Sequence, residues 1–557
     1  MPRNTKFKIE RFGGLNKSDQ VSEVLSNAYQ SNGQSLVQSG YAEAKECINI
    51  DFDPDGIKKR YGSTLEDASL SLLLAVGEGV IDSYDYTSAA TGQRIAIAVT
   101  DVSIYTNQSG SFVKVNDSAS STYSHSATVS KCSFAVADGH LFIGLDGANK
   151  IQVYRAGADL DDELDLNKTY TDAFGSGTHT IDGTWGTGYY LLDSFQGRLI
   201  YSDGNTVVNY STVPIATDGI WKRSTHGFYQ AAGNIVDIKS FTPDYQDSIQ
   251  ETLYIFTSSG PEITSDLTVQ IQRIKGGPVP INHRSSIATK SWIMCLTNDR
   301  RIVAINRNVY VDIGRRFTDF TGSSEIEQID LATSINRAFG FYNTMREQVY
   351  FFAPGSTETE NTVCFVIDLF LGEPIVGEQE KSFERKVRLS EWKIYEPSTN
   401  NWYRTLHARS GGVVGITSDG NRYTFLNGRN DLDSIIVDAE YESLDFNGGA
   451  QTNLKCWILL RLRGRFIGNF TTSISYVLDS STVQESTTTY SQSAGGAVYG
   501  TPKYGTTKYS GLLLIKGQDD IDLWSESIRF NLKNALLSQT FSFQEIECEY
   551  IIGAEER

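Results

Sequence analysis

The chain has 557 residues, 39% of them hydrophobic and 21% charged, long enough and apolar enough to bury a large core. Its 49 basic and 67 acidic residues leave a net charge of -18. That balance argues against a protein that grips nucleic acid through its phosphates or lies on an anionic membrane surface. The 49 Gly, 29 Tyr and 27 Phe against 3 Met point to β structure with many turns.

The first stretch, MPRNTKFKIERF, has no apolar signal region, and the apolar run Leu72 to Val76 is too short to span a membrane. Synthesis and folding in a cytoplasm, with free thiols, are the expectation. The cysteines at 47, 132, 295, 364, 456 and 548 have no zinc or redox spacing, so each reads as a small buried residue. Residues 1 to about 40 read as an arm lying on another surface, of this subunit or a neighbour. Ser18 would cap a brief helix carrying Val21, Val24 and Leu25.

The stretch Tyr41 to Thr64, YAEAKECINIDFDPDGIKKRYGST, reads as a helical turn, a strand, a tight turn and a returning strand. Cys47, Asn49 and Asp51 alternate with Ile48, Ile50 and Phe52, the period of a half-buried strand. Asp53-Pro54-Asp55-Gly56 supplies turn chemistry, with Gly56 expected at positive φ. Asp51, Asp53, Asp55 and Gly56 also match the opening of an EF-hand loop. The twelfth position, which must bring a bidentate carboxylate, is Gly62, and Pro54 interrupts the loop. A hairpin turn is therefore the better reading.

Upstream lies Gly13-Gly14-Leu15-Asn16. A GGLN segment followed by Asn49, Asp51, Phe52, Asp53, Asp55, Gly56, Lys59, Arg60 and Gly62 resembles the N-terminal region of tail nozzle, or hub, proteins of short-tailed bacteriophages. The resemblance covers about fifty residues. It implies a structural virion protein of the tail, assembled in the host cytoplasm. It further implies a ring, usually of six copies, docked beneath a head-to-tail adaptor and contacting tail fibres. The ring would enclose a channel that retains and then conducts double-stranded DNA without binding it tightly, with no membrane insertion and no catalysis.

From about Leu70 to about Gly428, apolar strand pairs recur around Gly, Asp or Asn turns. They occur at 94–106, 131–154, 193–210, 252–263, 293–313, 339–370 and 413–426. Seven pairs some forty to sixty residues apart predict a β-propeller, with a set of β-sandwiches as the alternative. AIAV, FAVA and VYFF read as inner strands of blades, buried on both faces. Asp159 to Asp165 reads as a solvated loop. After about Tyr441, Leu454 to Phe470 is a strong strand region. Arg461, Arg463 and Arg465 share one face opposite Leu460, Leu462 and Phe466. Ile528 to Ile552 adds strands with Phe541, Phe543 and Ile546 as core. The segment 479–510 reads as a mobile loop, or an interaction loop using Tyr490, Tyr499, Tyr504 and Tyr509.

The expected class is thus all-β: an arm and hairpin over 1–65, a propeller-like domain over 66–440, and a C-terminal sandwich or platform over 441–557. No nucleophile elbow, phosphate loop, dinucleotide fingerprint or zinc-protease motif occurs. His125, His140, His179, His226, His283 and His407 lack ligand spacing. No catalytic, cofactor or metal residue is assigned. Two other readings stay open: a receptor-binding fibre that recognises surface glycan, and a propeller glycoside hydrolase. From Asn430 to Leu454 the residues Asp431, Asp433, Asp438, Glu440, Glu442 and Asp445 form an acidic run with no basic member, a candidate channel wall.

Overall fold

A computed structural model describes residues 5–9, 11–17, 29–32, 35–38, 42–53, 56–87, 92–107, 110–116, 122–137, 140–154, 169–171, 178–182, 186–211, 220–242, 250–267, 271–307, 309–319, 322–369, 387–394, 402–409, 412–427, 431–432, 435–447, 453–466, 470–479, 486–492, 513–536, 539 and 541–552. The cap at Ser18 with its helix, the acidic run 159–165, and Tyr499, Tyr504 and Tyr509 lie outside the described residues. Strands dominate, and one α-helix, Leu331–Arg337, is described.

Seven mainly antiparallel sheets follow in chain order. Their innermost strands are Val80–Thr87, Cys132–Ala137, Leu191–Phe195, Ile235–Phe241, Ser286–Ala288, Phe339–Asn343 and Tyr403–Arg409. Each of these lies beside the next, and the seventh lies beside the first, so the sheets close into a seven-bladed propeller. Each of the seven strand pairs read from the sequence falls in its own blade. The hydrophobic cores are the gaps between blades. Ile95, Ile97 and Val99 face Leu141 and Ile143 of blade 2. Their strand neighbours Ala96 and Ala98 face Ile416 of blade 7. Likewise Val349 and Phe351 pack toward blade 5, and Tyr350 and Phe352 toward blade 7.

Two of the three segments read as doubly buried inner strands are so buried. AIAV and VYFF lie in second strands, Arg94–Thr100 and Gln348–Ala353, which are covered on both faces by neighbouring blades. FAVA lies in the innermost strand of blade 2, where Val136 is exposed, so this strand is not buried on both faces.

Ring closure uses a distant strand. Blade 7 consists of Tyr403–Arg409, Gly412–Thr417 and Arg422–Phe425, and its fourth strand is Ser63–Asp67, with Ser63 opposite Phe425. A division at 65/66 therefore runs through a blade strand.

The remaining strands build a two-layer sandwich. One sheet contains Thr5–Ile9, Ser35–Gln38, Lys455–Phe466, Leu513–Ser525 and Ser542–Ile552. The other runs from blade 6 through a parallel bridge, Glu391 to Ile48, into Ala42–Ile48, and on to Ala439–Ser443, Ile528–Asn534 and Phe470–Leu478. Phe7, Trp457, Leu460, Ile546 and Tyr550 of the first layer share one core with Tyr441, Ile474, Phe530 and Leu532 of the second. That core is continuous with Met294, Phe351 and Phe365 of the propeller. The strand Ala439–Ser443 crosses the 440/441 division.

Three local expectations meet the structure as follows. Ala42–Ile48, expected to begin as a helical turn, is a strand throughout. It pairs with Phe12–Leu15 on one side and Ala439–Ser443 on the other, and this pairing outweighs the helix preference of Ala, Glu and Lys. The expected arm is partly woven into the sandwich of its own chain, with Phe7, Ile9, Phe12 and Leu15 buried. Within 479–510, Ser486–Gln492 is a strand paired with Phe470–Leu478.

Candidate functional site

The residues of the GGLN and hairpin motif meet where blade 6, blade 7 and the sandwich join. Gly14 has φ of 88°, and a Cβ there would lie 2.6 Å from the Leu389 amide nitrogen, so only glycine fits against this strand. Asn16 donates to Glu43 at 2.7 Å. Asn49 is buried at φ of 52°, a conformation Asn tolerates, and it interrupts the alternating strand expected there. Its Nδ2 donates to the Asp438 carbonyl at 2.6 Å. Its Oδ1 accepts from Arg60 Nε at 2.8 Å and from the Lys393 amide at 3.0 Å.

Arg60 is the most deeply enclosed charge of the junction. Its Nη1 donates to Asp431 Oδ1 at 2.7 Å and its Nη2 to Asp431 Oδ2, and the guanidinium lies 5.3 Å from the Trp392 ring. Lys59 donates to Asn534 at 2.7 Å and to the Leu536 carbonyl at 3.2 Å. Burial, reinforced by the Arg60 charge, brings its pKa down to about 8. Gly56 is not at positive φ. It is required because a Cβ would sit 2.0 Å from the Phe543 carbonyl oxygen of the adjacent strand.

Two carboxylates of the EF-hand reading, Asp51 and Asp53, are engaged by cationic side chains, and Asp55 lies outside the described residues. Asp51 accepts from Arg346 Nη1 at 2.7 Å and from Gln348 at 2.9 Å, and Lys58 bonds Asp53 at 2.5 Å. Among the described residues no group of three or more His, Cys, Asp or Glu is arranged to hold a metal ion.

The two charged features of the C-terminal half resolve into internal pairs. Glu545, Glu547 and Glu549 on the central strand are flanked by Lys6 and Lys8 on one side and Arg461 and Arg463 on the other. The Arg465 side chain lies outside the described residues. In the acidic run 430–454, three carboxylates are held by cations of the same chain. Asp431 holds Arg60, Glu440 holds Lys533, and Glu442 holds Arg529. Asp433 lies outside the described residues.

A second candidate site was not read from the sequence. The innermost strands of all seven blades enclose a cavity of about 240 Å³, lined among others by Asp82, Cys132, Leu192, Asp237, Ser286, Phe339 and His407. Asp82 pairs with Arg284 at 3.1 Å. Asp237 accepts from the Ser286 hydroxyl and from the Ile238 amide at 2.8 Å. Burial, partly countered by Lys239, raises Asp237 to about 7 and the neighbouring Asp193 to about 6. Burial lowers His283 to about 3 and His407 to about 4, so both imidazoles are neutral near pH 7. His407 bonds Ser83 at 2.8 Å, and His283 bonds the Cys132 carbonyl at 2.6 Å. A signal for these carboxylates does exist in the sequence. Val80-Ile81-Asp82, Leu191-Leu192-Asp193 and Ile235-Val236-Asp237 repeat one apolar–apolar–Asp triplet at the head of three innermost strands.

The buried acid sets a pH dependence. An Asp whose folded pKa is raised costs stability as it ionises, so its contribution falls as pH rises from about 4 to about 7. Asp237→Asn removes that penalty. The variant should gain stability relative to the parent across this window, with the largest advantage near pH 8, as read from thermal melting at several pH values.

No protein-family model matches the chain, and no curated protein matches it. Among solved structures it is similar to U3-55K, at 9% identity over 62% of this chain and 98% of that one, with a TM-score of 0.35. It is similar to a chain of the Mitotic Checkpoint Complex, at 9% identity over 72% and 99%, TM-score 0.33. It is also similar to an exo-beta-1,3-galactanase from Phanerochaete chrysosporium, at 8% identity over 78% and 98%, TM-score 0.22. Scores this low carry no argument about function, and the propeller assignment rests on the sheet order and the closed ring of innermost strands.

Proposed function

We propose that this chain is a structural subunit of the nozzle or hub ring that ends a short bacteriophage tail. The observation that supports this most is the use made of the motif residues. Gly14, Asn49, Lys59 and Arg60 perform no open chemistry; they lock propeller and sandwich into one body across more than three hundred positions of sequence. Such a body suits a wall that bears load while a genome passes. The cavity inside the propeller, about 240 Å³, is far too small for duplex DNA, so DNA would pass between copies that surround a common opening. Partners would be further copies of the chain, a head-to-tail adaptor and tail fibres.

A net charge of -18 keeps that opening from holding the genome by phosphate contacts. The purified full-length protein should bind duplex DNA weakly even at low salt, measured by fluorescence anisotropy. Tight, salt-sensitive binding would contradict the proposal. The glycoside-cleaving alternative draws on the raised carboxylates Asp193 and Asp237; hydrolysis of any member of a glycan panel would favour it.

A further inference from the structure

Three arginines converge beside the central cavity. Arg284, which lines it, precedes the innermost strand of blade 5. Arg337 ends the helix before blade 6, and Arg404 is the second residue of the innermost strand of blade 7. Asn361 ties two of these segments together, donating to the carbonyls of Arg337 at 2.9 Å and Tyr403 at 3.0 Å.

Their counter-charge is insufficient. Arg284 is engaged with Asp82 and with the carbonyls of Ile81 and Arg404. Arg404 and Arg337 share one carboxylate, Glu360, at 2.9 and 3.8 Å. The Arg404 side chain is only 5% exposed, yet its Nε and Nη1 reach no acceptor, and Oε2 of the adjoining Glu360 is likewise buried without a donor. Burial, with Arg337 and Arg284 adding to it, brings Arg404 down to about 9 against the pull of Glu360. Arg337 is lowered too, by burial and by Arg284 despite Glu360. A guanidinium is almost never neutral, so the physical remedy for such a cluster is an anion that meets the open donors.

We infer that Arg404 and Arg337 form a binding site for a small oxyanion, phosphate or carboxylate. The Arg404 N–H groups lie inside and wait on an acceptor, while Arg337, 29% exposed, offers the solvent side. Glu360 competes with the ligand for both. The inference stands apart from the ring proposal, since it concerns one copy of the chain.

The test uses full-length protein titrated with sodium phosphate and, separately, sodium acetate against sodium chloride at matched ionic strength. Calorimetry and thermal melting are the readouts. Saturable binding of one anion is expected, and which one saturates identifies the source. Arg337→Gln, at a partly exposed position, should weaken binding about tenfold or more through loss of a charge-assisted hydrogen bond. Glu360→Gln should tighten it by removing the competitor. Absence of saturable binding with both anions, an unchanged affinity in Arg337→Gln, or weaker binding in Glu360→Gln would overturn the inference.

Discussion

Replacing Arg60 by methionine should destabilise the protein by about 3–5 kcal/mol, the usual cost of removing one partner of a buried ion pair. The side chain is fully enclosed, and Asp431 is nearly so. Methionine fills much of the stem volume but leaves the Asp431 carboxylate buried beside no cation. It also leaves Asn49 Oδ1 with the Lys393 amide as its remaining donor. The double variant Arg60→Met with Asp431→Leu should recover a large part of the loss, because both charges leave together. Urea denaturation of the parent, the single variant and the double variant measures this directly. A single variant as stable as the parent would remove the junction from its proposed role.

Deleting residues 1–10 should cost about 3–6 kcal/mol, from the lost burial of Phe7 and Ile9 at about 1.5–3 kcal/mol each. Thr5–Ile9 is an interior strand, parallel to Ser35–Gln38 and antiparallel to Ser542–Ile552. Phe7 stacks on Phe446 at 3.6 Å between ring centroids, so its loss opens the sandwich core. The salt bridges of Lys6 and Lys8 contribute less, since both lysines are more than 40% exposed and screened by solvent. Hydrogen exchange should show lost protection in Ser542–Ile552 while the propeller second strands keep theirs. Unchanged protection there would mean that the N-terminal strand is dispensable.

The parts of this fold that sequence reveals are those whose burial is local. Second strands such as Arg94–Thr100 and Gln348–Ala353 are apolar on both faces, and each turns back on its partner within a few residues, so all seven blades leave a readable pair. The innermost strands carry Asp82, Asp237 and His407 toward the cavity, which breaks the apolar pattern that would announce them. Ser63–Asp67 has four ordinary residues and an Asp, and nothing nearby indicates that its partner is Arg422–Phe425. The hairpin motif is visible as a string, whereas the pairing of Arg60 with Asp431, or of Lys59 with Asn534, is a product of tertiary packing. The same holds for the acidic run and the arginine stripe, whose counter-charges come from strands far away in the chain. The arginine cluster beside the cavity is drawn from three blades and has no sequence signature at all.

The central claim is that copies of this chain surround an opening. Electron microscopy of the purified full-length protein at micromolar concentration tests it most directly. The account predicts closed rings, usually of six copies, with a central hole wide enough for duplex DNA. A field of single, separate particles, or open filaments without a hole, would contradict it.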